Sequence, residues 1–107
     1  MSSFRARVGG FSITFKNGYL ISVQFRAGNY CDHYGSSDFD PQGMLESSNA
    51  EIAIIHEETN KFQTLDNGDV VKGYLTPDEV FEWIEKAKNW HKRYENVEAS
   101  QLFPRLS

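Results

Sequence analysis

Between Phe11 and Phe25 the chain alternates apolar and polar side chains with a period of two. Phe11, Ile13 and Phe15 fall on one face of an extended segment, and Tyr19, Ile21, Val23 and Phe25 on one face of the next. This is the pattern of a β-hairpin buried on one side. The register follows from requiring like to face like. A two-residue Asn17-Gly18 loop would set Phe15 opposite Leu20, Ile13 opposite Ser22 and Phe11 opposite Gln24, mixing the two faces. A three-residue loop, Lys16-Asn17-Gly18, sets Phe15 opposite Tyr19, Ile13 opposite Ile21 and Phe11 opposite Val23. Ser12 then meets Ser22, with Thr14 against Leu20 as the exception. That loop ends on a left-handed residue, and Gly18 supplies it as a type I turn plus bulge.

Alternation returns further on. Ala50–His56 reads as a third strand, with Ile52 and Ile54 on one face and Glu51, Ala53 and Ile55 on the other. Lys61–Leu65 reads as a fourth strand with Phe62 as its core residue. The turn signal Asp66-Asn67-Gly68-Asp69 leads to a fifth over Val70–Leu75. The period then changes. Val80, Trp83, Ile84, Ala87 and Trp90 or His91 recur at helical spacing, with Phe81 widening the stripe. Thr76-Pro77-Asp78-Glu79 is a capping box, and Leu75 and Val80 occupy the positions of a hydrophobic staple. The spacing predicts a helix from Pro77 to about Tyr94.

Two stretches lack periodicity. Met1–Arg7 is either a frayed arm or an extension of the first strand, followed by a flexible lead-in or bulge at Val8-Gly9-Gly10. Residues 26–49 form a long loop rich in Gly, Ser, Asp and Asn, expected to be ordered as far as Tyr34 and more mobile over Gly35–Glu46. Together these readings give one α+β domain over residues 1–107. It is an antiparallel sheet of about five short strands, an N-terminal hairpin plus a meander, laid against one C-terminal helix. Residues 95–107 form a tail in which Leu102, Phe103 and Leu106 either dock or serve as an interaction segment; Pro104 bars a helix through them.

Composition narrows the function. Eight Phe, five Tyr and two Trp suffice to fill a core in a 107-residue chain, and the net charge of −4 argues against general nucleic-acid binding. Arg5, Arg7, Lys16 and Arg26 gather in the first quarter, where scattered solvated charge is the plainer reading. Cys31 is the single cysteine, so no internal disulfide forms. No apolar run reaches the ~20 residues of a bilayer span, and the N-terminus lacks the apolar stretch of a signal peptide. A soluble cytoplasmic protein is the expectation.

Chemistry-bearing residues concentrate in Gly28–Tyr34, G-N-Y-C-D-H-Y. A nucleophilic reading would activate Cys31 through His33; its plain counterpart buries Tyr30 and Cys31 under the loop. A metal reading would gather Asp32, His33, Asp38, Asp40 and His56, without a recognisable ligand spacing. Trp83 and Trp90 form either an aromatic platform or part of the core or of an oligomer seam. No P-loop, dinucleotide glycine pattern, H-E-x-x-H or G-x-S-x-G is present. The expected outcome is a binding module without catalytic, metal or cofactor site. Its surface is carried by Arg26, Asn29, Tyr30, His33 and Tyr34: Arg26 for a phosphate or carboxylate, the tyrosines for flat area. Leu20, Ala53 and Ile55 on the face away from the core favour a homo-oligomer.

The string F-K-N-G-Y-L-I-S-V-Q-F-R-A-G-N-Y-C-D, with N-A-E-I-A-I and V-K-G-Y-L-T-P-D-E-V after it, resembles small uncharacterised proteins of bacteriophages and prophages. The likeness covers about two thirds of the chain and brings no catalytic residues. It implies an accessory protein in the bacterial host cytoplasm that binds or sequesters a host component, either a defence protein or its nucleotide messenger. A small enzyme using Cys31 or His33, or a phage structural or assembly protein, are the alternatives.

Overall fold

The computed structural model describes residues 2–35 and 45–90. Within them six strands precede one helix: β1 (Ser3–Arg7), β2 (Gly10–Thr14), β3 (Tyr19–Gln24), β4 (Ala50–His56), β5 (Lys61–Phe62), β6 (Lys72–Leu75) and α1 (Pro77–Lys88). The sheet is antiparallel, in the order β1-β2-β3-β4, and both β5 and β6 pair with the far edge of β4. The α+β arrangement read from the pattern is the arrangement found.

The hairpin has the three-residue loop. Phe11 pairs with Val23, Ser12 with Ser22, Ile13 with Ile21 and Thr14 with Leu20. The Phe15 amide donates to the Tyr19 carbonyl at 2.9 Å, and Gly18 sits at φ +90°, where a side chain would be strained. Rows of side chains then cross the sheet. Ile13, Ile21 and Ile54 form one row, and Phe11, Val23 and Ile52 the next. The helix lies over these rows with Val80, Trp83 and Ala87 buried, and Leu75 and Val80 close the staple at its start.

Both ends of the helix are satisfied. The Thr76 hydroxyl accepts from the Glu79 amide, and the Glu79 carboxylate accepts from the Thr76 amide. The Thr76 amide, most of all, and the Thr76 hydroxyl, which also donates to that carboxylate, hold the Glu79 carboxyl below its ordinary range. At the far end the cap comes from the hairpin. The Asn17 side-chain amide donates to the carbonyls of Ala87, Lys88 and Trp90 at 3.0, 3.1 and 3.2 Å, while its oxygen accepts from the Tyr19 amide. The last carbonyls of a helix lack intrahelical partners, and Asn17 supplies donors to this end.

The structure corrects the sequence reading in several places. Ser3–Arg7 is a strand of its own, paired with β2 through a turn at Val8-Gly9, and it is the exposed edge of the sheet. Phe62 is not a core residue. It opposes Ile55, on the face away from the helix, and is 51 % exposed. The strand ends there, and the chain instead buries Gln63 and Leu65. The fifth expected strand is limited to Lys72–Leu75, with a bulge between Ala50 and Ile52 on its partner. Phe81 does not widen the buried stripe: one residue beyond Val80 is about 100° round the helix, and Phe81 is 63 % exposed. The helix stops at Lys88 rather than near Tyr94, because Asn89 folds its amide back onto the Glu85 carbonyl and Asn17 occupies the last carbonyls. His91, Tyr94, the 95–107 tail and residues 36–44 lie outside the described residues.

Ile21 is fully buried between two strands and the helix. Replacing it with Ala is expected to cost ~2–5 kcal/mol, against ~1 kcal/mol for Thr76→Ala at the exposed cap. Urea unfolding of the two variants measures both, and the reverse order would mean that the wrong face had been taken as the core.

Candidate functional site

The stretch after β3 is built from turns rather than regular structure. Amides of Asn29, Cys31 and Tyr34 donate to the carbonyls of Arg26, Asn29 and Cys31, and Gly35 reaches back to Ala27 at 2.9 Å. Asn29 is the pin of this coil. Its oxygen accepts from the Arg26 amide and its nitrogen donates to the Glu51 carboxylate on β4, each at 2.9 Å. Both ends of its side chain are therefore used in holding the loop to the sheet. These are the loop-pinning contacts of the structural reading of Asn29.

His33 and Cys31 likewise have separate partners. The His33 ring donates through Nε2 to the Glu46 carbonyl at 2.6 Å. Cys31 is buried, and its thiol donates to the Arg26 carbonyl at 3.5 Å. The thiol faces backbone rather than the imidazole. Asp32 clasps the returning limb of the loop. Its carboxylate accepts from the Ser48 hydroxyl and from the Asn49 side chain, and its amide donates to the Asn49 oxygen. The two side-chain hydrogen bonds, Ser48 first, hold the Asp32 carboxyl below its ordinary range. Among the described residues no group of three or more His, Cys, Asp and Glu is placed to hold a metal ion. Asp38 and Asp40 of the metal reading lie outside those residues.

What the loop leaves on its surface is aromatic. Tyr30 and Tyr34 are 47 % and 57 % exposed, with ring centroids 5.3 Å apart and planes tilted by 33°. The Tyr30 backbone is fixed, because its carbonyl accepts from the Tyr74 amide at 2.8 Å. Gly73 makes that approach possible, since a Cβ there would collide with the Tyr30 Cβ and carbonyl. Tyr74 itself takes a left-handed backbone at φ +56° and is 53 % exposed. Three tyrosines thus present area at one end of the sheet. Of the five residues expected to form the surface, the structure leaves Tyr30 and Tyr34 for it and spends Asn29 and His33 on loop structure. Arg26 is exposed, with its aliphatic stem close beside Gly9.

Next to this loop lies a feature that sequence reasoning missed. Between the first turns of α1 and the end of the sheet lies an open groove of about 330 Å³. Phe11, Val23 and Phe25 form its floor, Val80, Phe81 and Ile84 its wall, and Ser47 and Asn49 its lip. Asn49 joins the groove to the loop, because it is the residue that Asp32 clasps. No described lining side chain is charged. The signal was present in the surplus of aromatic residues: Phe25 and Phe81 extend the apolar faces of sheet and helix beyond what the two elements bury against each other. The tryptophans are core rather than platform. Trp83 is buried with the Lys86 ammonium 4.1 Å from its ring centre, and the Trp90 indole donates to Gln63 at 3.2 Å.

Comparison with known protein families, with characterised proteins and with solved structures returned no match. Among the described residues no helix is long and apolar enough to cross a membrane.

The Asp32 clasp has a testable acid limb. A carboxyl held below its unfolded value stabilises the closed loop at every pH above the ordinary carboxylate range. That contribution disappears as pH falls through the lowered value. The Asn49 side-chain amide signals, followed by NMR, are expected to shift with Asp32 on acidification and to stay flat through the same range in Asp32→Asn.

Proposed function

We propose that this chain is a binding module, a phage-like accessory protein that acts by stoichiometric contact with a host protein. The observation that carries this reading is the apolar groove beside the exposed tyrosine pair. A concave apolar site of this size suits one anchoring side chain, and tyrosines, which the adjoining loop exposes, are enriched among the residues that dominate protein interfaces. The resemblance of the hairpin and Asn29-Tyr30-Cys31 to phage-encoded proteins supports the setting. A host protein fits this site better than a nucleotide messenger. A nucleotide needs cationic or backbone N–H donors for its phosphates, and the described lining of the groove carries no charge. Self-association would use the opposite face, where Leu20, Ile55 and Phe62 stand in one row across β3, β4 and β5.

Two variants test the surface without touching the core. Tyr30→Ala with Tyr34→Ala removes the rings but keeps the Cβ that meets Gly73. Phe81→Glu places a charge at the groove mouth on a side chain already exposed. Affinity capture from host lysate, with quantitative mass spectrometry, should show a protein retained by the wild type and lost by both variants, with melting temperatures close to wild type. Retention of the same protein by both variants would place the binding surface elsewhere.

A further inference from the structure

We propose that Asn17-Gly18 is a spontaneous modification site, a deamidation whose rate is gated by docking of the helix and whose product releases the helix end. The chemistry needs only water. The Gly18 backbone nitrogen attacks the Asn17 side-chain carbonyl carbon, ammonia leaves with the proton the nitrogen gives up, and a cyclic succinimide forms. Water then opens the ring at either carbonyl, leaving aspartate or isoaspartate. Glycine in the following position favours the attack, because no Cβ obstructs the approach.

The chain carries the same turn twice, and the comparison isolates what is special about the first. In both, the glycine amide donates to the residue three before it, Gly18 to Phe15 and Gly68 to Leu65, each at 3.0 Å. In both, the asparagine oxygen accepts from the amide two residues on, Tyr19 and Asp69. The difference lies in the side-chain nitrogen. That of Asn67 donates to Val71 within its own exposed loop. That of Asn17 donates to Ala87, Lys88 and Trp90 across the fold. Asn67 can swing into reaction by a local loop movement. Asn17 must first leave the last turn of the helix.

The products differ in the same way. An aspartate at position 17 replaces a donor with a carboxylate facing three carbonyl oxygens at the negative end of the helix dipole. Donation is lost and repulsion takes its place, and isoaspartate adds a backbone methylene to a turn whose register depends on its length. Aspartate at position 67 loses one bond within a solvated loop.

Peptide mapping by mass spectrometry on the full chain, aged either native or unfolded in guanidinium, tests the gating. In the unfolded chain Asn17 and Asn67 should convert at comparable rates. In the native chain Asn17 should slow by about tenfold or more, the protection expected of a site that opens only with a cooperative unit, and by more than Asn67 slows. Equal Asn17 rates in the two states would overturn the gating. The release is read separately. Asn17→Asp should lower the melting temperature by about 4–8 °C or more, and Asn67→Asp should leave it near the wild-type value. A wild-type melting temperature in Asn17→Asp would overturn the release. If Asn17→Asp does not fold, Asn17→Ser, which removes the donor without adding charge, carries the test: its amides at 86–89 should exchange hydrogen faster than those of the wild type relative to the β3 and β4 amides, and equal exchange would again overturn it.

Discussion

The structure depends on a one-sided sheet being covered by a short helix. Strands β2, β3 and β4 present Ile13, Ile21, Ile54, Phe11, Val23 and Ile52 on one face, and α1 returns Val80, Trp83 and Ala87 to it. Each large side chain buried there contributes roughly 1.5–3 kcal/mol. The Lys72–Asp66 ion pair at the surface contributes at most ~1 kcal/mol. Apolar contact therefore decides the fold, and the polar contacts decide where its parts begin and end. Asn17 is the main example: it joins the β2–β3 hairpin to the last turn of the helix, its oxygen held by the hairpin and its nitrogen by the helix end.

The groove follows from the same constraint. Twelve helical residues cannot cover the whole apolar face of the sheet. Near the helix N-terminus Phe11, Val23 and Phe25 from the sheet and Val80, Phe81 and Ile84 from the helix line an open groove. The coil after β3 is fastened beside that opening by Asn29 to Glu51 and by Asp32 to Ser48 and Asn49. With its polar side chains engaged in this way, the coil offers its tyrosines outward. On the proposed reading, that aromatic area near an apolar concavity is what a partner would meet.

Much of the fold was legible in the sequence because it is written locally. The alternation of Phe11–Phe25 with its three-residue loop allows a single register that keeps the faces apart. Thr76-Pro77-Asp78-Glu79 marks the helix start from four adjacent residues. What was not legible depends on distant partners. The helix end at Lys88 requires Asn17, about seventy residues earlier. Phe62 looked like core because it is the one aromatic residue of its run, yet pairing with Ile55 turns it outward and Gln63 and Leu65 are buried instead. In the site, residue types were legible and roles were not. Asn29 and His33 have the same donors and acceptors whether they hold a ligand or a loop, and only the positions of Glu51 and Glu46 show which they hold.

Native-state hydrogen exchange tests most directly the claim that sheet and helix form one unit. The account predicts that central amides of β3, β4 and α1 exchange with a common free energy, that of global unfolding, while the edge strand β1 opens at much lower cost. Exchange of the α1 amides at a free energy well below that of β3 and β4 would contradict it, because the helix would then leave a sheet that stands without it.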